Sequence, residues 1–205
     1  MMALGLLLFS ACSNDPVVEQ PVGTPYKLEE NSKVIWKGRA GDGHVNEGTI
    51  DVKGVAQGYD FDILNNEIRG GVFTFPVSSI TVTNLPTDPV NLKAQLEGHL
   101  KTADFFYLVA HPNVTFKIKS GKPATFSGSN NNYQIKGEMT LLGSTHPLEF
   151  PAHVAIANGT LTIKAAFTFN QTTWGMNYHI DPSYPDKDRI VAGVDVNFEL
   201  VAKAK

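Results

Sequence analysis

From Tyr133 to Leu141 apolar and polar positions alternate. Tyr133, Ile135, Gly137, Met139 and Leu141 share one side, and Gln134, Lys136, Glu138 and Thr140 share the other. A period of two marks a strand with one buried and one wet face. The same alternation runs through Leu148, Phe150, Ala152, Val154 and Ile156, and through Leu161, Ile163, Ala165, Phe167 and Phe169. Asn158-Gly159 lies between these two runs and predicts a two-residue hairpin turn. A last strand carries Val194, Val196, Phe198 and Leu200 on its apolar side. Upstream, Val34/Trp36, Ile50/Val52, Tyr59/Phe61/Ile63, Phe73/Phe75/Val77 and Val114/Phe116/Ile118 read the same way, with Gly70-Gly71 predicting a bulge or bend before Phe73. The count is at least eight strands. Antiparallel strands of this kind close into a sandwich or a barrel, and closure removes the edges.

One segment breaks the period. Leu92, Leu96 and Leu100 recur at spacing four and predict the buried stripe of a helix, with Asp88 as N-cap and Pro89 at the first helical position. His99 falls beside that stripe. Asp104 is expected to cap a second short helical turn carrying Phe105 and Phe106. A lone helix among strands, ending in a wet histidine and two adjacent aromatics, suggests a lid or mouth element on a barrel.

The front of the chain bears on compartment. Residues 1–11 are an apolar run, too short to span a bilayer, which needs about 20 residues. Leu8-Phe9-Ser10-Ala11-Cys12 looks like a bacterial lipobox, so residues 1–11 are read as a lipoprotein signal and Cys12, the only cysteine, as the lipidated residue. Residues 12–25 hold Pro16, Pro21 and Pro25 without a hydrophobic period, and form the lipidated cysteine and its tether. The domain is residues 26–205. The expected place is the cell envelope, periplasm or outer surface, with Cys12 as membrane anchor. A net charge of −3 with mixed signs excludes a basic stripe for nucleic acid.

Candidate chemistry is sparse. The six histidines include no HExxH pattern, so no metal is expected, and there is no GxSxG elbow or spare cysteine for acyl transfer. His111 and His146 precede prolines and read as turn residues; His153 falls on a polar strand face. Alternation puts Asp60 and Asp62 together on a wet outer face. Asp181, Asp186 and Asp188 read as an acidic turn. The strand phase points Trp36, Phe73, Phe75, Phe116, Met139, Leu141, Phe167 and Trp174 inward. Patterning alone leaves open whether these residues fill the interior or line a cavity.

His99 to Phe106 reads H-L-K-T-A-D-F-F, which resembles the H-L-K-[ST]-x-D-F-F signature of the YceI-like family. Four further segments follow that family's order: Gly70–Phe73 with Ser79-Ile80, Pro112–Phe116, Gly137–Gly143, and Phe167–Gly175. His44 with Gly48 resembles a histidine-glycine pair of one branch. The chain departs from the pattern at Asn31-Ser32, where many members carry His-Ser, and at Gln171, where arginine is usual.

The resemblance spans the whole domain. It implies an extended, eight-stranded, antiparallel lipocalin-like barrel that binds a polyisoprenoid or similar amphiphile, a prenylated quinone or fatty-acid derivative among them. No cofactor other than the lipid is implied, and a homodimer is. The inward residues above, with Leu96, Leu100, Phe105 and Phe106 at the mouth, would then contact the chain, and His99 and Lys101 its headgroup. With Gln171 in place of arginine, that contact is expected to be neutral. The expected function is non-enzymatic carriage. Two alternatives stand beside it: an isomerase or hydrolase using His99 and Asp104, and an assembly module with a dry, filled core.

Overall fold

The computed structural model describes residues 23–30, 32–55 and 58–205, so the signal, Cys12 and most of the tether lie outside the described residues, as do Asn31 and residues 56–57. Eleven strands follow in chain order: β1 (Thr24–Leu28), β2 (Lys33–Arg39), β3 (Val45–Asp51), β4 (Phe61–Leu64), β5 (Glu67–Pro76), β6 (Thr81–Val82), β7 (Asn113–Pro123), β8 (Tyr133–Leu141), β9 (Ser144–Ala157), β10 (Thr160–Asn170) and β11 (Gly193–Ala204). One α-helix among the described residues, α1 (Leu92–Leu100), lies between β6 and β7.

Eight strands close a ring. The order is β1-β4-β5-β7-β8-β9-β10-β11, and β11 returns to β1 through Ala202–Ala204 paired with Leu28–Tyr26. The remaining strands form a second flap. β11 spends Asp195–Glu199 on β2, β2 pairs β3, and Lys53 bridges Thr74 in β5. The gap between β11 and β5 is therefore covered by β1 and β4 at one end and by β2 and β3 at the other. Ser32 sits at the handover, buried, with its hydroxyl accepting the Val201 amide while Glu29 N–H donates to Val201 O. That satisfies backbone groups which neither strand reaches.

The local turn chemistry is as the residues dictate. Asn158 (φ 50°) and Gly159 (φ 69°) both take positive φ and close the β9–β10 hairpin in the expected tight turn. Near Gly70-Gly71 the β4–β5 register slips between Asp62 and Ile63, so the expected bulge is present.

Several expectations are corrected. The helix begins three residues after Pro89, because Asn91, not Asp88, caps it: the Asn91 side chain accepts the Ala94 amide at 2.9 Å. Leu92 is 42% exposed, leaving Leu96 and Leu100 as the packed part of the stripe. Thr102, not Asp104, organises the turn after the helix, with its carbonyl accepting from Phe105 and Tyr107. His146 lies within β9, paired with Met139, rather than in a turn.

The largest correction concerns Asp60 and Asp62. Both are buried, at 1% and 6% exposure, because Gly54 and Val55 of the segment before β4 close on Asp60, and Gly23, ahead of β1, lies against Asp62. Asp62 accepts the Gly23 amide at 2.8 Å, and Asp60 accepts those of Leu28 (2.7 Å) and Val55 (2.6 Å).

The helix is tied to the sheet by Glu97, whose carboxylate accepts the Val82 amide at 2.8 Å. Replacing Asn91 with Ala should cost about 1 kcal/mol through loss of the cap. In thermal denaturation that corresponds to roughly 2–4 °C for a domain of this size. Asp88→Ala should change the midpoint by much less; equal effects would mean the cap is misassigned.

Candidate functional site

The inner faces of β2, β3, β5 and β7 to β11 border a cavity lined by 22 side chains, every one apolar, with none from β1 or β4. Its walls come from nearly every long strand: Val34 and Trp36 of β2, Phe73 and Phe75 of β5, Phe116 and Ile118 of β7, Ile135, Met139 and Leu141 of β8, Phe150 of β9, Phe167 and Phe169 of β10, and Val196 and Phe198 of β11. The cavity volume is about 130 Å³.

Glycines shape the wall. A Cβ on Gly137 would collide with the Phe116 ring, and one on Gly48 with the Trp36 indole and the Thr81 carbonyl. The two rings lie over backbone where no other residue would fit. The sequence signal was present in both alternating runs, since glycine replaces a side chain on the inward phase.

The wall has a seam. β9 and β10 pair only from Ala157–Thr160 to His153–Lys164, and beyond that point they diverge. Phe150 and Phe167 stack across the gap, with centroids 4.3 Å apart and planes 7° apart. Trp174 closes its end from a short 3-10 turn, Gln171–Trp174, that ends at Gly175 in the left-handed region. Its Nε1–H donates to the Met139 carbonyl at 2.8 Å, and its ring meets His146 and Phe169 edge-on. Trp174 is thus buried, but it braces the seam and does not line the cavity.

The mouth residues divide similarly. Phe106 lines the cavity. Phe105 turns away, buried against His99 and Tyr178 with ring centroids at 5.0 and 5.3 Å. Leu96 and Leu100 pack on the core without reaching the lumen, and Lys101 lies at the helix C-cap. The ring Nε2 of His99 is 2.9 Å from Asp104 Oδ2, so the fold does bring this pair together. The pair stands outside the cavity, between Phe105 and Tyr178, where it joins the helix end to the following turn.

Gln171 is buried, and its side-chain amide donates to Val191 O at 3.0 Å. It fastens the loop before β11 and does not face the lumen, so the neutral-headgroup inference drawn from it has no geometric basis.

Polar chemistry sits on the outside. Arg39 pairs with Asp195, which also accepts the Thr168 hydroxyl at 2.6 Å. The Arg39 guanidinium and then the Thr168 hydroxyl hold the Asp195 carboxyl below its ordinary range. Lys37–Glu47, Lys136–Glu149 and Lys164–Glu199 cross strands on the wet faces. Among the described residues no group of three or more His, Cys, Asp or Glu is placed to hold a metal ion, and no helix is long and apolar enough to cross a membrane.

A closed antiparallel barrel with an apolar interior and a single helix among the described residues defines the class: an all-β, lipocalin-like barrel. The family model for the YceI-like domain matches residues 26–202, and the chain belongs to that family. Similar solved structures include BcnA of Burkholderia cenocepacia, with 18% identity over 86% of this chain and 100% of that one and a TM-score of 0.62. A polyisoprenoid binding domain from Saccharophagus degradans implicated in plant cell wall breakdown has 11% identity, covers 89% and 99% of the two chains, and gives a TM-score of 0.63. The YCEI protein of Campylobacter jejuni has 14% identity over 100% and 99%, with a TM-score of 0.52. At these identities the likeness is one of fold. No curated protein matches the chain.

Proposed function

We propose that this protein is a non-enzymatic carrier of a polyisoprenoid or similar long amphiphile, held at a cell-envelope membrane by a lipid on Cys12. The observation that carries the reading is the lumen itself, 22 apolar side chains drawn mostly from β2, β3, β5 and β7 to β11, with no charged group among them. Each buried CH₂ contributes about 0.8 kcal/mol, so a long chain binds through area without directed polar contacts. The Saccharophagus domain of the same fold is described as polyisoprenoid binding, which supports the same ligand class here. A carrier needs no catalytic group in its cavity, and the His99–Asp104 pair stands outside it.

Organic extraction of the purified domain followed by mass spectrometry tests this directly. A co-purifying amphiphile, or saturable uptake of an added polyprenyl lipid, is the expected result. Protein that carries none and binds none would refute the reading.

The anchor has its own expected outcome. Gly23 lies at the end of the barrel opposite α1, beside the Asn158-Gly159 hairpin, because β1 begins there. A tether of residues 13–22, at up to roughly 3.5 Å per residue, reaches about 35 Å. Cys12→Ser should move the protein from the membrane to the soluble fraction and abolish labelling by a fatty-acid analogue. A substituted protein that stays on the membrane would place the anchor elsewhere. The homodimer implied by the family would appear as doubled mass in light scattering of the released domain.

A further inference from the structure

The opening between β9 and β10 is written into the sequence of β9. Ala152 O accepts the Asn132 amide, and the Val154 N–H donates to the Asn132 side chain. Even positions of β9 therefore turn their backbone groups toward β8, and odd positions turn theirs toward β10. Pro147 and Pro151 are both odd. If the register of His153 with Lys164 ran on, Pro151 would face Ala166 and Pro147 would face Asn170. Neither proline has an N–H to give, so the Ala166 and Asn170 carbonyls would meet no donor there.

Among the described residues the open part of this seam is held by side chains. The Phe150–Phe167 stack fills its middle, and at its end Trp174 reaches over to the Met139 carbonyl of β8. The neighbouring joints of the cavity wall are hydrogen-bonded ladders. Even β3 meets β5 through two backbone bonds between Lys53 and Thr74, each 2.8 Å.

The lumen is also small for its ligand. A cavity of roughly 150 Å³ holds one benzene. This one measures about 130 Å³, and a polyisoprenoid needs several times that room. The wall must part to admit it. Parting a ladder breaks a row of backbone hydrogen bonds, whereas parting the seam separates apolar rings that an apolar chain covers again.

We propose that the seam is the ligand's entrance: β9 and β10 separate between Phe150 and Phe167 to admit a long, flexible apolar chain, and the two rings then flank it. This rests on the lipid-binding reading and adds the route. Trp174 is the latch, because its single hydrogen bond ties the end of β10 to β8 across the seam.

The test uses the Cys12→Ser full chain carrying Glu149→Cys and Thr168→Cys. Both positions are exposed, neither lines the cavity, and they lie on opposite edges of the seam. One portion is bridged with a short bis-maleimide, and a second is capped with N-ethylmaleimide. Uptake of geranylgeraniol is followed by tryptophan fluorescence, since Trp36 is in the wall. Bridging should slow uptake roughly tenfold or more relative to the capped protein, as expected for a gated site. Trp174→Phe keeps an aromatic ring, loses the bond to Met139, and should speed uptake. In the Cys12→Ser protein with both phenylalanines in place, proton contacts between the Phe150 and Phe167 rings should weaken on binding as lipid protons meet both.

Equal uptake by bridged and capped protein would overturn the side entrance while leaving carriage in the lumen. Ring-to-ring contacts that survive lipid saturation undiminished would do the same. No binding of geranylgeraniol by the Cys12→Ser protein would remove the carrier reading and this inference with it. The ring contacts decide the matter even if the double-cysteine protein fails to fold.

Discussion

Met139→Asp is expected to abolish lipid uptake and to lower the thermal midpoint by about 10 °C or more. Met139 is buried on the inner face of β8, between Phe116 across one ladder and His146 across the other. Its neighbours in the cavity are all apolar, and the one polar side chain across the ladder, His146, is packed edge-on against Trp174, so a carboxylate there is poorly compensated. An unpaired buried charge costs several kcal/mol even after it protonates or drags in water. At roughly 2–4 °C per kcal/mol for a domain of this size, the shift follows. Met139→Leu conserves volume and polarity and should cost less than about 1.5 kcal/mol. Uptake by the aspartate protein at wild-type affinity would show that the lumen is not the binding site.

Asp60→Ala should destabilise the domain by about 3–5 kcal/mol without touching the cavity. The Asp60 carboxylate is fully buried and accepts from three donors: the Leu28 amide at 2.7 Å, the Val55 amide at 2.6 Å, and Lys27 Nζ at 3.2 Å. Lys27 also donates to the Val55 carbonyl. Alanine removes the shared acceptor and strands two backbone N–H groups, while the partly exposed Lys27 ammonium keeps the Val55 carbonyl. Each unsatisfied donor costs about 1–3 kcal/mol. The failure should be local at first, because the lost contacts join β1 to the segment entering β4. Hydrogen exchange should accelerate in β1 before β8 or β10. A loss below 1 kcal/mol would mean that water replaces the carboxylate and that the site is a surface one after all.

The barrel strands were legible from side-chain period. Tyr133–Leu141 and Thr160–Asn170 alternate in the sequence as their burial does in the fold, and Asn158-Gly159 names its own turn. Seven of the eight residues assigned inward by phase line the cavity; the eighth, Trp174, is buried elsewhere. These residues were readable because a strand's two faces are set by a local rule that no distant contact alters. Asp60 and Asp62 obeyed the same alternation and broke its usual meaning. Their carboxylates are met by Gly54 and Val55 (Asp60) and by Gly23 (Asp62), and sequence period carries no information about what is brought over a face.

The helix segment shows the same division at smaller scale. Spacing located α1 and its packed Leu96 and Leu100, but Asn91 rather than Asp88 caps it, since capping depends on where the backbone first turns helical. Of the two aromatics, Phe106 reaches the lumen and Phe105 packs on His99, a choice made by Tyr178 from beyond β10.

What the sequence by itself determined is therefore the set of strands, their two faces, the family and the apolar character of the interior. Those follow from neighbours in the chain and from side-chain chemistry. Tertiary structure alone decided that β11 divides between β1 and β2, that Trp174 braces a seam, and that Gln171 is tied into a loop. Each depends on what a distant strand brings within hydrogen-bonding range, and a hydrogen bond is satisfied or orphaned by a difference of about an ångström.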